Sequence, residues 1–425
     1  RDFFPKEKRI RDYLFYIMTK TSESFGYESY DGPLLEEVDL YKAKSGEELI
    51  NEQIYSFTDR GERFVAIRPE MTPTLARMVA KTHREIPKPI RWFSIPNLMR
   101  YEKPQRGRVR EHWQLNVDIF GAPGRLGELE ILQVVIELFL NFGANSTQFE
   151  VLLNDRAIVD TIFAKLMKAT TEQTYRLYKI VDKSKKVTHE AVVKMVSELN
   201  LSEQSQNIFY SYLQLKTFDD VIAFLNSNHE SEIAQSFQAF VNLTKKANIE
   251  EYLTYDPTIV RGLDYYTGIV FEVFDKHPDN RRALSGGGAY ANLLQIFNEE
   301  PLAGVGFGLG DVTLTDFLTT HRLLPIFDLP ENDIALTFQD ERGLEITLNL
   351  AKELRLNKLK VVTALEPLNF KKVFPFSEKR GVKFVTLLGS DEIDQNKIQI
   401  KNLMTKEQLS FSLNDIIEII KHLKA

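Results

Sequence analysis

Apolar residues recur along this chain with two periods, and the points where one gives way to the other divide it into blocks. Over residues 5–24, Ile10, Leu14, Ile17 and Met18 share one side of a helical repeat, which predicts an amphipathic helix. Residues 27–35 predict an extended segment in which Pro33, with no amide proton to donate, suits only an edge or an interface. Thr72-Pro73 predicts a helix start, the hydroxyl at the N-cap and proline in the first turn, leading into 74–81. A hairpin follows, one strand over 91–100 and its partner over 112–120. In the second strand Trp113, Leu115, Val117 and Ile119 fall on one face and His112, Gln114, Asn116 and Asp118 on the other.

From about 157 to 250 the pattern turns to long helices, such as 190–199 and 222–226. The block reads as an insertion, because strand patterning resumes at Thr258 and continues through 269–274. Ser285-Gly286-Gly287-Gly288 is expected to precede a helical stretch over 289–297. Gly304, Gly306, Gly308 and Gly310 alternate with apolar residues, which strips one strand face of side chains so that a planar ring or another backbone can lie against it. Pro325 and Pro330 mark a linker. Beyond it come predicted strands over 334–338, 360–362, 384–388 and 398–400 and helices over 343–354 and 416–423, with about 95 residues, enough for a core of their own. The expected fold is mixed α/β (α+β): a domain over 1–325 carrying the helical insertion, and a small α/β domain over 331–425.

Composition narrows the function classes. A chain of 425 residues, 43% hydrophobic and 27% charged, is an ordinary soluble globular protein, with room for more than one domain. No apolar run approaches the ~20 residues needed to cross a bilayer, and no signal-peptide pattern opens the sequence, so no membrane association is expected. The first residue is Arg, not Met, which leaves open native residues ahead of it. Cysteine is absent, excluding disulfides and thiolate zinc sites and fitting a cytoplasmic setting. The seven histidines show no HExxH spacing, so no protein-held metal is expected. A net charge of −6 argues against coating nucleic acid indiscriminately, although a local basic patch still suits RNA.

Three constellations carry chemistry. Arg261-Gly262-Leu263-Asp264-Tyr265-Tyr266-Thr267-Gly268 sets a cation, a carboxylate and two phenol hydroxyls at the mouth of the 269–274 strand. A rigid sheet presents polar groups to a small ligand in this way, where a lone charged turn would not need them all. The loop 102–110 holds three arginines and a lysine beside the polar face of the 112–120 strand. Guanidinium groups grip phosphate oxygens in pairs, so loop and strand suit a polyphosphate or a nucleic-acid end meeting a small polar substrate. Arg68-Pro69-Glu70-Met71-Thr72 is adequate as a helix cap, and it also offers the Glu70 carboxylate and the Thr72 hydroxyl to a substrate ammonium. The glycine spacing matches neither a P-loop nor GxGxxG, which disfavours Walker and Rossmann nucleotide sites.

The octet at 261–268 closely resembles the histidine-specific motif of histidyl-tRNA synthetases, and the similarity covers essentially the whole chain. Arg1-Asp2-Phe3-Phe4-Pro5 resembles the start of that family. Tyr30-Asp31-Gly32-Pro33-Leu34-Leu35-Glu36 resembles class II motif 1, whose proline lies at a dimer interface. Arg100-Tyr101-Glu102, the arginine loop and Glu111-His112-Trp113-Gln114-Leu115 resemble motif 2, and Gly306-Phe307-Gly308-Leu309-Gly310 resembles the start of motif 3. The last ~95 residues, with Leu388-Gly389-Ser390-Asp391-Glu392, are similar to the family's anticodon-binding domain.

The resemblance implies an antiparallel-sheet catalytic core and a homodimer. It implies a cytoplasmic enzyme that activates L-histidine with ATP and magnesium, then esterifies it to tRNA(His). Carried residue by residue, it implies that Glu70, Thr72 and Gln114 hold the α-amino group and that Asp118 and Tyr266 flank the imidazole, with Tyr265 in the same set. Arg100 would clamp the α-phosphate, with Glu102 near the adenine. Arg108 and Arg110 would meet the β,γ-phosphates or the tRNA acceptor end, and Gly308 and Gly310 would border the nucleotide. Arg261 would lie between the histidine carboxylate and the α-phosphate. Joining two anions needs fixed cations and no general base, since the carboxylate is already ionised.

One departure stands out: where motif 3 of the family ends in a Glu-Arg pair, this chain has Val312 and Thr313, with Asp311 just before. Another cation, Arg106 or Arg281, is then expected to complete the ATP clamp. The runner-up reading is a catalytically silent paralogue such as the regulatory subunit of ATP phosphoribosyltransferase. Residues 331–425 and Arg261 both speak against it.

Overall fold

The computed structural model describes residues 1–42, 53–103, 105, 107–260, 266–327 and 331–424. Arg261, Tyr265 and Arg106 lie outside the described residues. The chain forms two compact units, one of Arg1 with Arg11–Leu324 and one of Asp2–Ile10 with Pro325–Ala425. The first helix, Pro5–Ser24, matches its expected span and buries Leu14 and Met18.

The first unit is built on a nine-stranded sheet. Its order is Glu28–Ser29, Ile90–Ser94, Glu111–Phe120, Gly304–Gly310, Ser285–Tyr290, Ile269–Asp275, Phe149–Asp155 and Leu253–Tyr255, with Asn97–Met99 also paired to Glu111–Phe120. The outermost pairs are parallel and the six inner strands antiparallel. Leu115, Val117 and Ile119 join the helix Leu126–Asn141 in the main core through Ile131, Leu132 and Val135. On the opposite row of the same strand Asn116 and Asp118 are buried as well, and His112 and Gln114 are half-buried. It is a covered wall, not a solvated face. A three-stranded antiparallel sheet of Leu35–Glu37, Phe64–Ile67 and Tyr55–Thr58 stands apart from the large one.

Several local expectations change. The first hairpin strand is split into Ile90–Ser94 and Asn97–Met99, because Pro96 has no N–H for the ladder; its carbonyl accepts from Gln114 N–H at 3.1 Å. Thr72 is the first residue of the helix Thr72–Thr82 and not its cap; Met71 occupies that place with no side-chain bond. Proline in the first turn tolerates this, since its missing N–H is one of the unpaired donors there. Ser285–Tyr290 is a strand, and only Leu293–Phe297 forms a short 3-10 helix. Neighbours on both sides supply the pairing that three glycines would not favour alone. Strand pairing resumes at Leu253, ahead of Thr258.

The helical block begins at Arg156 and runs to Lys246. Thr170, Thr188, Ser202 and Thr217 each accept a backbone N–H from the first turn of the helix they precede. Phe163, Phe209, Tyr212, Phe237 and Phe240 fill its interior.

In the second unit a five-stranded sheet runs Val361–Thr363, Asn332–Phe338, Val382–Leu388, Lys397–Asn402, Gln408–Ser412. The first three strands are parallel and the last two pairings antiparallel. Helices Glu341–Leu356 and Ile416–Lys424 follow the expected periodicity. The strand Gln408–Ser412 and the helix Phe370–Glu378 were not anticipated: the strand is mostly exposed, so no apolar alternation marks it, and the helix carries Pro375.

Candidate active site

The strand Glu111–Phe120 organises the site. Its polar row faces a neighbour with glycine at every second position: Gly310 pairs with Gln114, Gly308 with Asn116 and Gly306 with Asp118. A methyl group at Gly306 would sit 2.1 Å from Asp118 Oδ1, and one at Gly308 would sit 1.7 Å from Gln114 Nε2. The stripped face is therefore filled by polar side chains from the next strand, and not by the ring or backbone expected from the alternation alone.

Asp118 is 5% exposed, and the Tyr290 hydroxyl donates to its Oδ1 at 2.5 Å. Burial pushes the Asp118 carboxyl up to about 7, with the Tyr290 hydrogen bond pulling the other way. Tyr266 is half-buried and packs against the apolar cluster that contains Leu75, Ile90, Phe120 and Tyr290. The sequence reading passed over Tyr290. The available signal was its spacing: it follows Gly286 and Gly288 by even steps and so shares their strand face.

Glu70 is buried just after the strand Phe64–Ile67. Arg100 Nε donates to the Pro69 carbonyl at 2.8 Å, bringing the Glu70 segment against the end of the strand Asn97–Met99. Arg68 is a brace: its guanidinium serves the carbonyls of Asn97 and Gly32 and the Asp31 carboxylate. Thr72 is half-buried at the head of its helix.

A cavity of about 320 Å³ adjoins this row. Its wall includes Arg100, Glu102, Arg108, Gln114, Gly308 and Gly310, together with His112 and Glu272, which the sequence reading had not assigned to a ligand. Glu272 interrupts the apolar run 269–274 and is buried, a signal that was there to find. Glu102 is buried and ion-paired with Arg108. Burial, then the positive charges of Arg100 and Arg1, push the His112 imidazole down to about 4, so it is neutral at pH 7. Arg110 is not in this wall; its guanidinium lies 4.4 Å from the centroid of the Tyr101 ring and donates to the Glu102 carbonyl at 3.4 Å.

Val312 and Thr313 complete the floor. Asp311 beside them is 2% exposed; it accepts the Trp113 N–H at 3.0 Å and pairs with Arg1 Nη1 at 2.9 Å. It ties the helix Asp311–Thr320 to the central strand. A second cavity of about 190 Å³ shares Gly107, Leu284 and Thr313 with the first, and Arg281 and Arg282 line it. Among the described residues no three His, Asp or Glu side chains cluster as a metal site, and no helix is long and apolar enough to cross a membrane.

An antiparallel sheet with a buried polar row beside an arginine-lined cavity is the arrangement that the resemblance to class II aminoacyl-tRNA synthetases implied. Residues 1–312 match the family model described as histidyl-tRNA synthetase, and residues 333–423 match an anticodon binding domain. A histidine–tRNA ligase of Leptospira biflexa is 42% identical over 99% of this chain and 96% of its own length. The fold is that of histidyl-tRNA synthetase from Nostoc sp. PCC 7120, with a TM-score of 0.81 at 22% identity over 99% and 97% of the two chains. It is also close to an ATP phosphoribosyltransferase regulatory subunit/histidyl-tRNA synthetase from Bacillus halodurans C, with a TM-score of 0.75 at 21% identity over 92% and 97%. The chain belongs to the histidyl-tRNA synthetase family.

Proposed function

We propose that this protein is a histidine–tRNA ligase that activates L-histidine with ATP to histidyl-adenylate, releasing diphosphate, and passes the acyl group to the 3′ end of tRNA(His), releasing AMP. The observation that carries the site is the Asp118–Tyr290 pair in the same strand row as Gln114, which opens onto the cavity of Arg100 and Arg108. A buried carboxyl held by a phenol hydroxyl suits one imidazole nitrogen. A site built for hydrogen bonds disfavours side chains that cannot return them. Glu70, Thr72 and Gln114 hold the ammonium group, and Tyr266 with Tyr265 completes the histidine pocket.

In the activation step the histidine carboxylate attacks the α-phosphorus and diphosphate leaves. Arg100 and Arg261 neutralise the two anions as they meet. Arg108 takes the outer phosphates or the acceptor end, and Arg110 stands behind it on Tyr101. Gly308 and Gly310 border the nucleotide. Magnesium would accompany ATP, bridging its phosphates, and the buried Glu272 carboxylate on the cavity wall would suit the one or two protein ligands such an ion needs, while Glu102, paired with Arg108, stands near the adenine. The missing motif 3 cation is supplied from the cavity that holds Arg281 and Arg282, or by Arg106.

The domains run over 1–325 and 331–425, the second reading the tRNA anticodon. Two copies pair through the small sheet, on which Leu35, Phe57 and Phe64 are exposed beside Leu34 and Pro33. The protein works in the cytoplasm. Histidine-dependent exchange of labelled diphosphate into ATP tests the activity directly. No exchange with any amino acid would transfer the chain to the silent regulatory class.

A further inference from the structure

The first residue of the helical block holds both ends of the segment that carries Arg261. Arg156 N–H donates to the Gly268 carbonyl at 2.9 Å, and its Nη1 donates to the Val260 carbonyl at 3.4 Å. The same guanidinium lies 3.8 Å from the ring centroid of Tyr178, on the helix Thr171–Ser184, and the Tyr178 hydroxyl bonds Asp160 at 2.5 Å. The approach to Val260 is gripped by the block twice more. Tyr212, fully buried on the helix Glu203–Leu213, donates to the Pro257 carbonyl at 2.6 Å, and Lys185 pairs with Asp256. On the far side Thr267 N–H donates to the Ala289 carbonyl at 2.8 Å and Ile269 N–H to Glu128 Oε1 at 3.2 Å.

This is more polar anchoring than a surface turn requires. Arg156 Nε is buried and has no hydrogen-bond partner among the described residues, while the rest of the guanidinium is placed by Val260 and Tyr178. We propose that Arg156 is a positioning residue: through its stack on Tyr178 it makes the seating of the helical block set the spacing of Val260 and Gly268, the two residues that flank the stretch bearing Arg261 in the sequence. The inference rests on the role given above to Arg261. A cation aimed at two converging anions is sensitive to small displacement, and a misplacement of about 1 Å costs on the order of 100-fold.

The test is the single-turnover rate of histidyl-adenylate formation in the full chain, which does not depend on the fraction of inactive protein. Arg156→Lys and Tyr178→Leu are compared with the parent and with Arg261→Ala. Both variants are expected to be about 10- to 100-fold slower, with ATP affinity within about twofold of the parent. Parent-like rates in both, alongside a slow Arg261→Ala, would overturn the inference alone. A fast Arg261→Ala would remove the assigned role of that residue and this inference with it. Should Arg156→Lys fail to fold, Tyr178→Leu decides, because it leaves every backbone bond of Arg156 in place.

Discussion

Tyr290 reaches Asp118 across an intervening strand. Their backbones belong to Ser285–Tyr290 and Glu111–Phe120, with Gly304–Gly310 between them, and the hydroxyl still meets Oδ1 at 2.5 Å. The bridge exists because the middle strand presents glycine there: a methyl group at Gly304 would lie 2.3 Å from the Tyr290 ring. Removing the hydroxyl leaves a buried carboxyl short of a partner. Tyr290→Phe is expected to raise the KM for histidine about tenfold, the equivalent of one such bond. The KM for ATP should stay near the parent value in the same exchange assay.

The Asp118 carboxyl, pushed up to about 7 by burial, gives a pH signature in the ligand-free protein. The folded state holds its proton to higher pH than the unfolded state, whose carboxyl titrates near 3.9. The stability contribution is thus complete below about pH 4, is lost as pH rises to about 7, and is flat above. Asp118→Asn keeps an acceptor for Tyr290 and removes the buried charge. Its urea midpoint should exceed the parent's at pH 8 by the equivalent of at most roughly 4 kcal/mol, and should match it at pH 4.

The same group predicts the pH dependence of substrate capture. Below about pH 7 Asp118 is protonated in the free enzyme and accepts poorly from an imidazole N–H. The KM for histidine should therefore climb as pH falls from 8 to 6, and this slope should flatten in Asp118→Asn. A slope unchanged by that substitution would move the imidazole site away from Asp118.

Arg261→Ala should slow diphosphate exchange by about 10² to 10³, the usual loss for one placed charge in a transition state. Histidine binding, read by equilibrium dialysis, should change far less. Arg100→Ala should injure both, because its Nε also secures the Pro69 carbonyl next to Glu70.

The nucleotide clamp is open to a direct comparison. Alanine at Arg106, Arg281 and Arg282 in turn should raise the KM for ATP about tenfold in at least one variant, a loss typical of one charge-assisted hydrogen bond. Near-parent values in all three would leave the outer phosphates to Arg108 and the magnesium ion.

Much of this protein is legible in its sequence. Local period set the helix Pro5–Ser24, the central strand with its polar row, and most elements of the C-terminal sheet. Resemblance then suggested one site for Glu70, Gln114 and Asp118, of which the cavity wall includes Gln114. Where the reading slipped, a non-local contact had overruled a local preference. Three consecutive glycines read as a lead-in to a helix, yet strands on either side hold them extended.

Periodicity is a property of neighbours a few residues apart, so the chain alone determined the kind and extent of most elements and the residue types available for chemistry. It could not say which elements lie side by side. Only the tertiary structure decided that Tyr290 answers Asp118 over 172 positions, that alternate glycines make room for Gln114 and Asp118, and that Arg156 spans from Val260 to Gly268. The reason is physical: such bonds are fixed by strand order and close packing, which depend on contacts between residues far apart in the chain.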